Sequence, residues 1–209
     1  MQIQINDIAI ISNMNKQIRK IHVIGINSFE YKDLNINLQK LFDDIKNIAI
    51  PISYFDKIKT WFDNYSDTKN LFSSGSNNEL INWLKQKNDD VILISRGDPL
   101  WFGIGRILLE NFEKEELSFY PGNTCVQVAF SKLKKSWQDI KCISIHGRDC
   151  SELIKAIKSK ESNIAILTDP NNKSLNFLIK NIIELEIDCF YELWICEELG
   201  LKDEKLRRI

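Results

Sequence analysis

Val91-Ile92-Leu93-Ile94-Ser95-Arg96-Gly97-Asp98-Pro99-Leu100-Trp101-Phe102-Gly103-Ile104-Gly105-Arg106 is the stretch on which the reading of this chain turns. Its opening aliphatic run reads as a strand buried on both faces. A Gly-Asp-Pro elbow follows, then a glycine-punctuated start to a helix. In α/β proteins such strand-to-helix elbows lie at the carboxyl edge of the sheet, where ligands bind. Gly97 lacks Cβ, so it can take positive φ and let a ligand approach the main chain. Pro99 fixes φ and removes a donor, which stiffens the turn. Asp98 offers two acceptor oxygens, suited to ribose hydroxyls or an amino group. It could equally serve as the cap of a helix starting near Leu100. The glycines fit neither G-x-G-x-x-G nor a phosphate loop, because no Gly-Lys-Ser/Thr follows.

Working outward, strands and helices alternate, which predicts an α/β class. Ile21 to Ile26 reads as the first core strand, and Leu34, Leu38, Leu41, Phe42 and Ile45 recur at helical spacing. Ile48 to Ile52 is a second short strand. The dense aromatics from Tyr54 to Phe72 predict a helix packing an apolar stripe on the sheet, with a ligand-facing aromatic wall as the other reading. Asn78, ending the loop from Ser73, caps a helix over 79–86, and 91–94 is the central strand. Beyond the elbow, a helix runs from Arg106 to about Phe112. Further strands are expected at 117–120, 140–145, 164–168 and 192–196, with helices at 126–133, 153–158 and 174–185. The best seam is near Tyr120-Pro121. It divides the chain into an extension (1–19), an amino-terminal α/β domain (20–120) and a carboxy-terminal α/β domain (121–209).

With 209 residues, 44% hydrophobic and 27% charged, the chain has the balance of a globular protein with a real core. A net charge of −1 supplies no global basic field for nucleic acid. Five cysteines form no C-x-x-C pair, and only His22 and His146 are present, so a disulfide framework and a structural zinc site are not expected. No apolar run reaches the ~20 residues that cross a bilayer. The polar start, Met1-Gln2-Ile3-Gln4, is unlike a secretory signal, which makes the cytoplasm the expected location.

Two more segments carry chemistry. Tyr120-Pro121-Gly122-Asn123-Thr124-Cys125-Val126-Gln127 is a second strand-to-helix elbow with free backbone amides and a hydroxyl; its plain alternative is a helix capped by Asn123 or Thr124. Ser144-Ile145-His146-Gly147-Arg148-Asp149 could bind carboxylates through its arginine, or be a solvated turn.

"ISRGDPLWFGIGR", "YPGNTCVQVAFSKLKKSWQD", "SIHGRD", "AILTDPNNKS" and "WICEELGLKDEKLRRI" together resemble the tetrapyrrole (corrin/porphyrin) methylase family, from about residue 20 to the end. The likeness is to the amino-terminal, C5-methylating half of the family's bifunctional precorrin C5,15-methyltransferases of cobalamin biosynthesis. It implies a two-domain α/β fold with S-adenosyl-L-methionine (SAM) in the interdomain cleft, and at least a homodimer. Carried over by position, Arg96, Gly97, Asp98, Trp101, Thr124, Cys125, Leu167, Thr168 and Leu199 would line SAM. A reactive sulfonium needs little acid–base machinery, so positioning can supply most of the rate. Arg106 and Arg148 would meet the substrate's carboxylates, with His146 beside them as the candidate base.

Two departures accompany the likeness. Where the family carries a V-G-x-G-P-G loop, this chain has Val23-Ile24-Gly25-Ile26-Asn27-Ser28-Phe29. The C15-methylating, decarboxylating half is also missing, which suggests a piece of a bifunctional protein. Two alternatives stay open: a methylase of the same fold with another substrate, and a non-catalytic half that docks the missing domain.

Overall fold

The protein is described by a computed structural model covering residues 18–65, 68–145, 150–168, 180 and 191–209, without the side chains of 64 and 65. The predicted extension, the helix over 174–185, His146 and Arg148 lie outside, wholly or for the most part.

Five strands form one parallel sheet in the order β3-β2-β4-β1-β5. They are β1 (Ile21–Ile26), β2 (Asn47–Ala49), β3 (Asn70–Phe72), β4 (Val91–Arg96) and β5 (Leu117–Tyr120). β4 is central as expected, and its register sets Ile21 opposite Val91 and Ile26 opposite Arg96 on β1. Side chains alternate faces along a strand. Ile92 and Ile94 therefore join Ile24, Phe42 and Ile58 in one core cluster, while Val91 and Leu93 join Val23, Leu84 and Leu108 in the other. Burial on both faces is why these strands read as unbroken aliphatic runs.

Helices α1 (Ile36–Asp44) and α2 (Phe55–Lys59) cover the first face; α3 (Asn77–Lys85) and α4 (Gly105–Asn111) cover the second. Asn35 caps α1 by accepting from the amides of Asn37 and Leu38 at 3.1 and 3.0 Å. Its far end is closed by Lys69, whose Nζ donates to the carbonyls of Phe42, Asp43 and Ile45. This cation meets the carbonyl-rich terminus that a helix leaves unsatisfied.

The connection leaving β1 crosses the first face and that leaving β4 crosses the second. The crevice between the carboxyl ends of β1 and β4 is thus a topological switch point, where open α/β sheets bind ligands. Past Tyr120 come α5 (Cys125–Leu133), then β6 (Lys141–Ser144) and β7 (Ile164–Leu167) as a parallel pair. α6 (Ser151–Lys158) lies between them and packs Leu153, Ala156 and Ile157 on Ile143. β8 (Trp194–Glu197) and β9 (Lys205–Arg208) form an antiparallel hairpin; Lys132 of α5 pairs with Glu204 on the hairpin turn at 2.8 Å, and just beyond α5 Lys135 pairs with Glu192, ahead of β8, at 3.2 Å.

Three sequence expectations are corrected. The aromatic segment is not one helix: α2 gives way to a 3-10 stretch at Thr60–Tyr65 and then to β3. Tertiary contacts override helical spacing there, since Trp61 donates from Nε1 to the Phe29 carbonyl and sits edge-on to Tyr31 and Phe42. α3 begins at Asn77 with Ser76 in the capping position, so Asn78 is inside the helix. α4 begins at Gly105, so Asp98 caps no helix; it accepts from the Leu100 amide at 2.8 Å in a local turn. Among the described residues no helix is long and apolar enough to cross a membrane.

His22 is 8% exposed, with Nδ1 2.9 Å from the Tyr120 hydroxyl and Nε2 3.8 Å from Asp90. Burial lowers its pKa below the ordinary 6.5, with Asp90 opposing. The unfolded chain therefore takes up this proton first, so the His22 contribution is present above about pH 6.5 and is lost as pH falls below it. Urea unfolding at about pH 7.5 and about pH 5.5 is expected to show that loss, and His22→Gln should flatten it. An equally steep loss in the variant would contradict the assignment.

Candidate functional site

Three strand ends are knitted together at the switch point. Gly97 donates its amide to the Ile26 carbonyl at 3.0 Å, and its own carbonyl accepts from the Gly122 amide at 3.1 Å. Gly97 has φ +61°, the left-handed region glycine tolerates. Gly25 is where the chains come closest: a Cβ there would lie 1.9 Å from the Gly97 carbonyl oxygen and 2.5 Å from the Gly122 nitrogen. Asn27 completes the seam. Its Nδ2 donates to the Asn123 carbonyl at 2.7 Å, and its Oδ1 accepts from the Asn123 amide at 2.8 Å. The carboxamide thus pairs with the main chain as another strand would, at the position where the related loop carries its second glycine.

A cavity of about 410 Å³ opens beside this seam. Of the residues named from the sequence, Arg96, Cys125 and Leu199 line it. Arg96 leaves the end of β4 and donates from Nη2 to the Leu199 carbonyl at 3.0 Å, tying the sheet edge to the β8–β9 turn. Cys125 opens α5, and Leu199 is buried. The remaining wall comes from Phe29, Ser53, Tyr54, Lys57, Cys196 and Glu198, which the sequence did not single out as site residues. The nearest signal was the aromatic segment: Tyr54 lines the cavity, while Ile58 and Phe62 are core. A second cavity of about 340 Å³ shares Ser53 and Tyr54 and is walled by Ile50, Ile52, Leu80 and Ile104.

The other named residues stand elsewhere. Gly97 and Asp98 shape the elbow backbone. Trp101 is half-buried with its ring edge-on to Phe102 at 4.9 Å. Thr124 is the cap of α5: its hydroxyl accepts from the Gln127 amide at 3.2 Å while Gln127 Oε1 accepts from the Thr124 amide at 2.7 Å. Leu167 ends β7, its carbonyl accepting from the Ile145 amide at 2.9 Å, and Thr168 follows it exposed. Arg106 lies on the outer face of α4, 3.8 Å from Glu110.

Burial holds the cavity's thiols and its phenol neutral. Burial raises the Cys125 and Cys196 thiols and the Tyr54 phenol, the last against the pull of Arg96. A wall of neutral thiols and phenol supplies neither a nucleophile nor a base near pH 7. What it can do is position a ligand.

A family model, Tetrapyrrole (Corrin/Porphyrin) Methylases, matches residues 42–209. The chain belongs to the tetrapyrrole methylase family. This methylase, like its family, is a SAM-dependent methyltransferase. It is 29% identical over 196 residues to a protein of Methanocaldococcus jannaschii named "Probable cobalt-precorrin-7 C(5)-methyltransferase", covering 89% of this chain and 87% of that one. In fold it is similar to a cobalamin-biosynthesis precorrin-6Y methylase from Archaeoglobus fulgidus, with TM-score 0.64, 20% identity, and 90% of this chain on 88% of that one. A uroporphyrin-III C-methyltransferase of Thermus thermophilus, solved with S-adenosylhomocysteine, shares the fold at TM-score 0.61 and 13% identity, with 91% of this chain on 87% of that one.

The seam sets a prediction. Gly25→Ala drives a Cβ into two backbone atoms and is expected to abolish the soluble fold. Asn27→Ala keeps the fold and loses two hydrogen bonds, at a cost of about 1–3 kcal/mol in urea unfolding. A Gly25→Ala protein with wild-type stability would refute the close approach.

Proposed function

We propose that this methylase transfers the SAM methyl group to C5 of a precorrin in cobalamin biosynthesis, with the donor held between the carboxyl edge of the 20–120 layer and the segment from 121 onward. The observation that carries the location is the cavity at the β1/β4 switch point, lined by Arg96, Cys125 and Leu199 from three separate segments. The C5 assignment rests on the archaeal relative, whose similarity spans 89% of the chain. The residues fit the donor. About 410 Å³ is within the range of small-molecule sites. Leu199 and Phe29 supply apolar surface. Asp98 keeps a second carboxylate oxygen beyond the one turned to Leu100.

SAM supplies a methyl carbon already activated by its sulfonium. The chain's part is to set the accepting ring carbon in line with it, where positioning alone can supply a large share of the rate. Arg96 fixes the β8–β9 turn over the cavity, which brings Leu199 down as its lid-side wall. The neutral thiols of Cys125 and Cys196 border the site without competing as nucleophiles. Trp101, Thr124, Leu167, Thr168 and the elbow residues Gly97 and Asp98 are proposed to border the donor further along the crevice. Arg106, His146 and Arg148 are proposed to face the tetrapyrrole, His146 as acceptor of the ring proton.

Calorimetric titration with S-adenosylhomocysteine is expected to show binding, and ligand at a hundred times its Kd should raise stability by about 2.7 kcal/mol. No heat and no shift in melting temperature would sink the proposal.

A further inference from the structure

The loop that departs from the family pattern places an aromatic ring against two cations. Phe29 follows Asn27 and Ser28, and Ser28 Oγ accepts from the Glu30 amide at 3.0 Å to turn the chain. Trp61 Nε1 donates to the Phe29 main-chain carbonyl at 2.8 Å, and Tyr54 tilts against the Phe29 ring at 5.5 Å. Lys57 Nζ lies 4.8 Å from the ring centroid and the Arg96 guanidinium carbon 5.4 Å. Phe29, Tyr54, Lys57 and Arg96 all line the 410 Å³ cavity.

Both cations keep capacity for a ligand. Among the described residues neither Lys57 nor Arg96 is paired with a carboxylate. Lys57 is exposed on α2, and Arg96 directs one nitrogen to the Leu199 carbonyl, leaving donors of its planar fork unspent. Glu198, the carboxylate on this wall, is exposed on the β8–β9 turn and bridges to neither. Attraction to the ring face orients each cation without neutralising it. Two oriented positive groups, on a wall whose thiols and phenol are neutral and whose one carboxylate pairs with neither, are a receptor for carboxylate.

We propose that Lys57 and Arg96, set against Phe29, form a carboxylate-docking clamp that anchors a ligand of this cavity. The inference rests on the methyltransferase reading of the site. Carboxylate can come from two sources there: the acidic side chains of the tetrapyrrole, or the amino-acid end of the methyl donor. In either case Lys57 is a binding residue that neither composition nor resemblance singles out.

Lys57→Met separates the possibilities, because an exposed lysine can lose its charge without disturbing the core; a melting curve checks the fold. Its affinity is measured for S-adenosylhomocysteine against 5′-methylthioadenosine, which lacks the amino-acid carboxylate. It is also measured for cobyrinic acid against cobyrinic acid heptamethyl ester, which lacks free carboxylates. The clamp predicts a loss of about ten- to a hundredfold on a carboxylate-bearing probe, none on its neutral counterpart, and recovery in Lys57→Arg. Loss on S-adenosylhomocysteine assigns the clamp to the donor, and loss on cobyrinic acid assigns it to the tetrapyrrole. Unchanged affinity for both acids, or equal loss on acid and neutral probe, overturns the clamp and leaves the methyltransferase reading standing. A wild-type protein that binds none of the four probes overturns that reading, and the clamp with it.

Discussion

The approach of Gly25 to the Gly97 carbonyl and the Gly122 amide is the contact on which the rest depends. It brings the carboxyl ends of β4, β1 and β5 within hydrogen-bonding distance beyond the last strand residues. Parallel strands usually diverge there into separate loops. Here the Gly97 carbonyl accepts from Gly122 and the Asn27 carboxamide pairs with both main-chain groups of Asn123. No side chain fits between these backbones. The consequence is a rigid rim, from which Arg96 projects on one side and α5 starts with Cys125 on the other.

That rim decides what kind of chemistry the site can hold. Burial keeps its thiols and phenol protonated, and its charged groups are one guanidinium, one ammonium and the exposed Glu198 carboxylate. Such a site does not activate a nucleophile; it orients reactants that carry their own reactivity, and group transfer from a sulfonium is chemistry of that kind. The Arg96–Leu199 hydrogen bond is the physical link between the sheet edge and the β8–β9 turn. Gly200 reinforces it by passing close to the Asn27 carbonyl at φ +79°.

Much of the sheet was legible because its strands are buried on both faces. β1, β4 and β5 are aliphatic or aromatic runs, and their bounds follow the sequence reading closely. β3 was not legible: at three residues, Asn70-Leu71-Phe72, it is too short to show a period, and it exists because β2 offers a free edge. β9 is masked by its charges, since Lys205, Arg207 and Arg208 give it the look of a tail, although it pairs fully with β8. At the site, both elbows could be read from glycine and proline. Of the two cap candidates at the second elbow Thr124 is the one that caps, while the capping alternative for Asp98 fails because its turn precedes the helix by several residues. Asn27 looked like the loss of a glycine; its side-chain pairing depends on Asn123, nearly a hundred positions away. Phe29 and Lys57 carry no local signature, because only the fold brings them to Arg96.

A crystal structure of the protein with S-adenosylhomocysteine tests the central claim most directly. The account predicts the ligand in the cavity beside the Gly25–Gly97–Gly122 seam, in contact with Arg96, Cys125 and Leu199. A ligand seated instead in the neighbouring cavity walled by Ile50 and Leu80, or away from both, would contradict it.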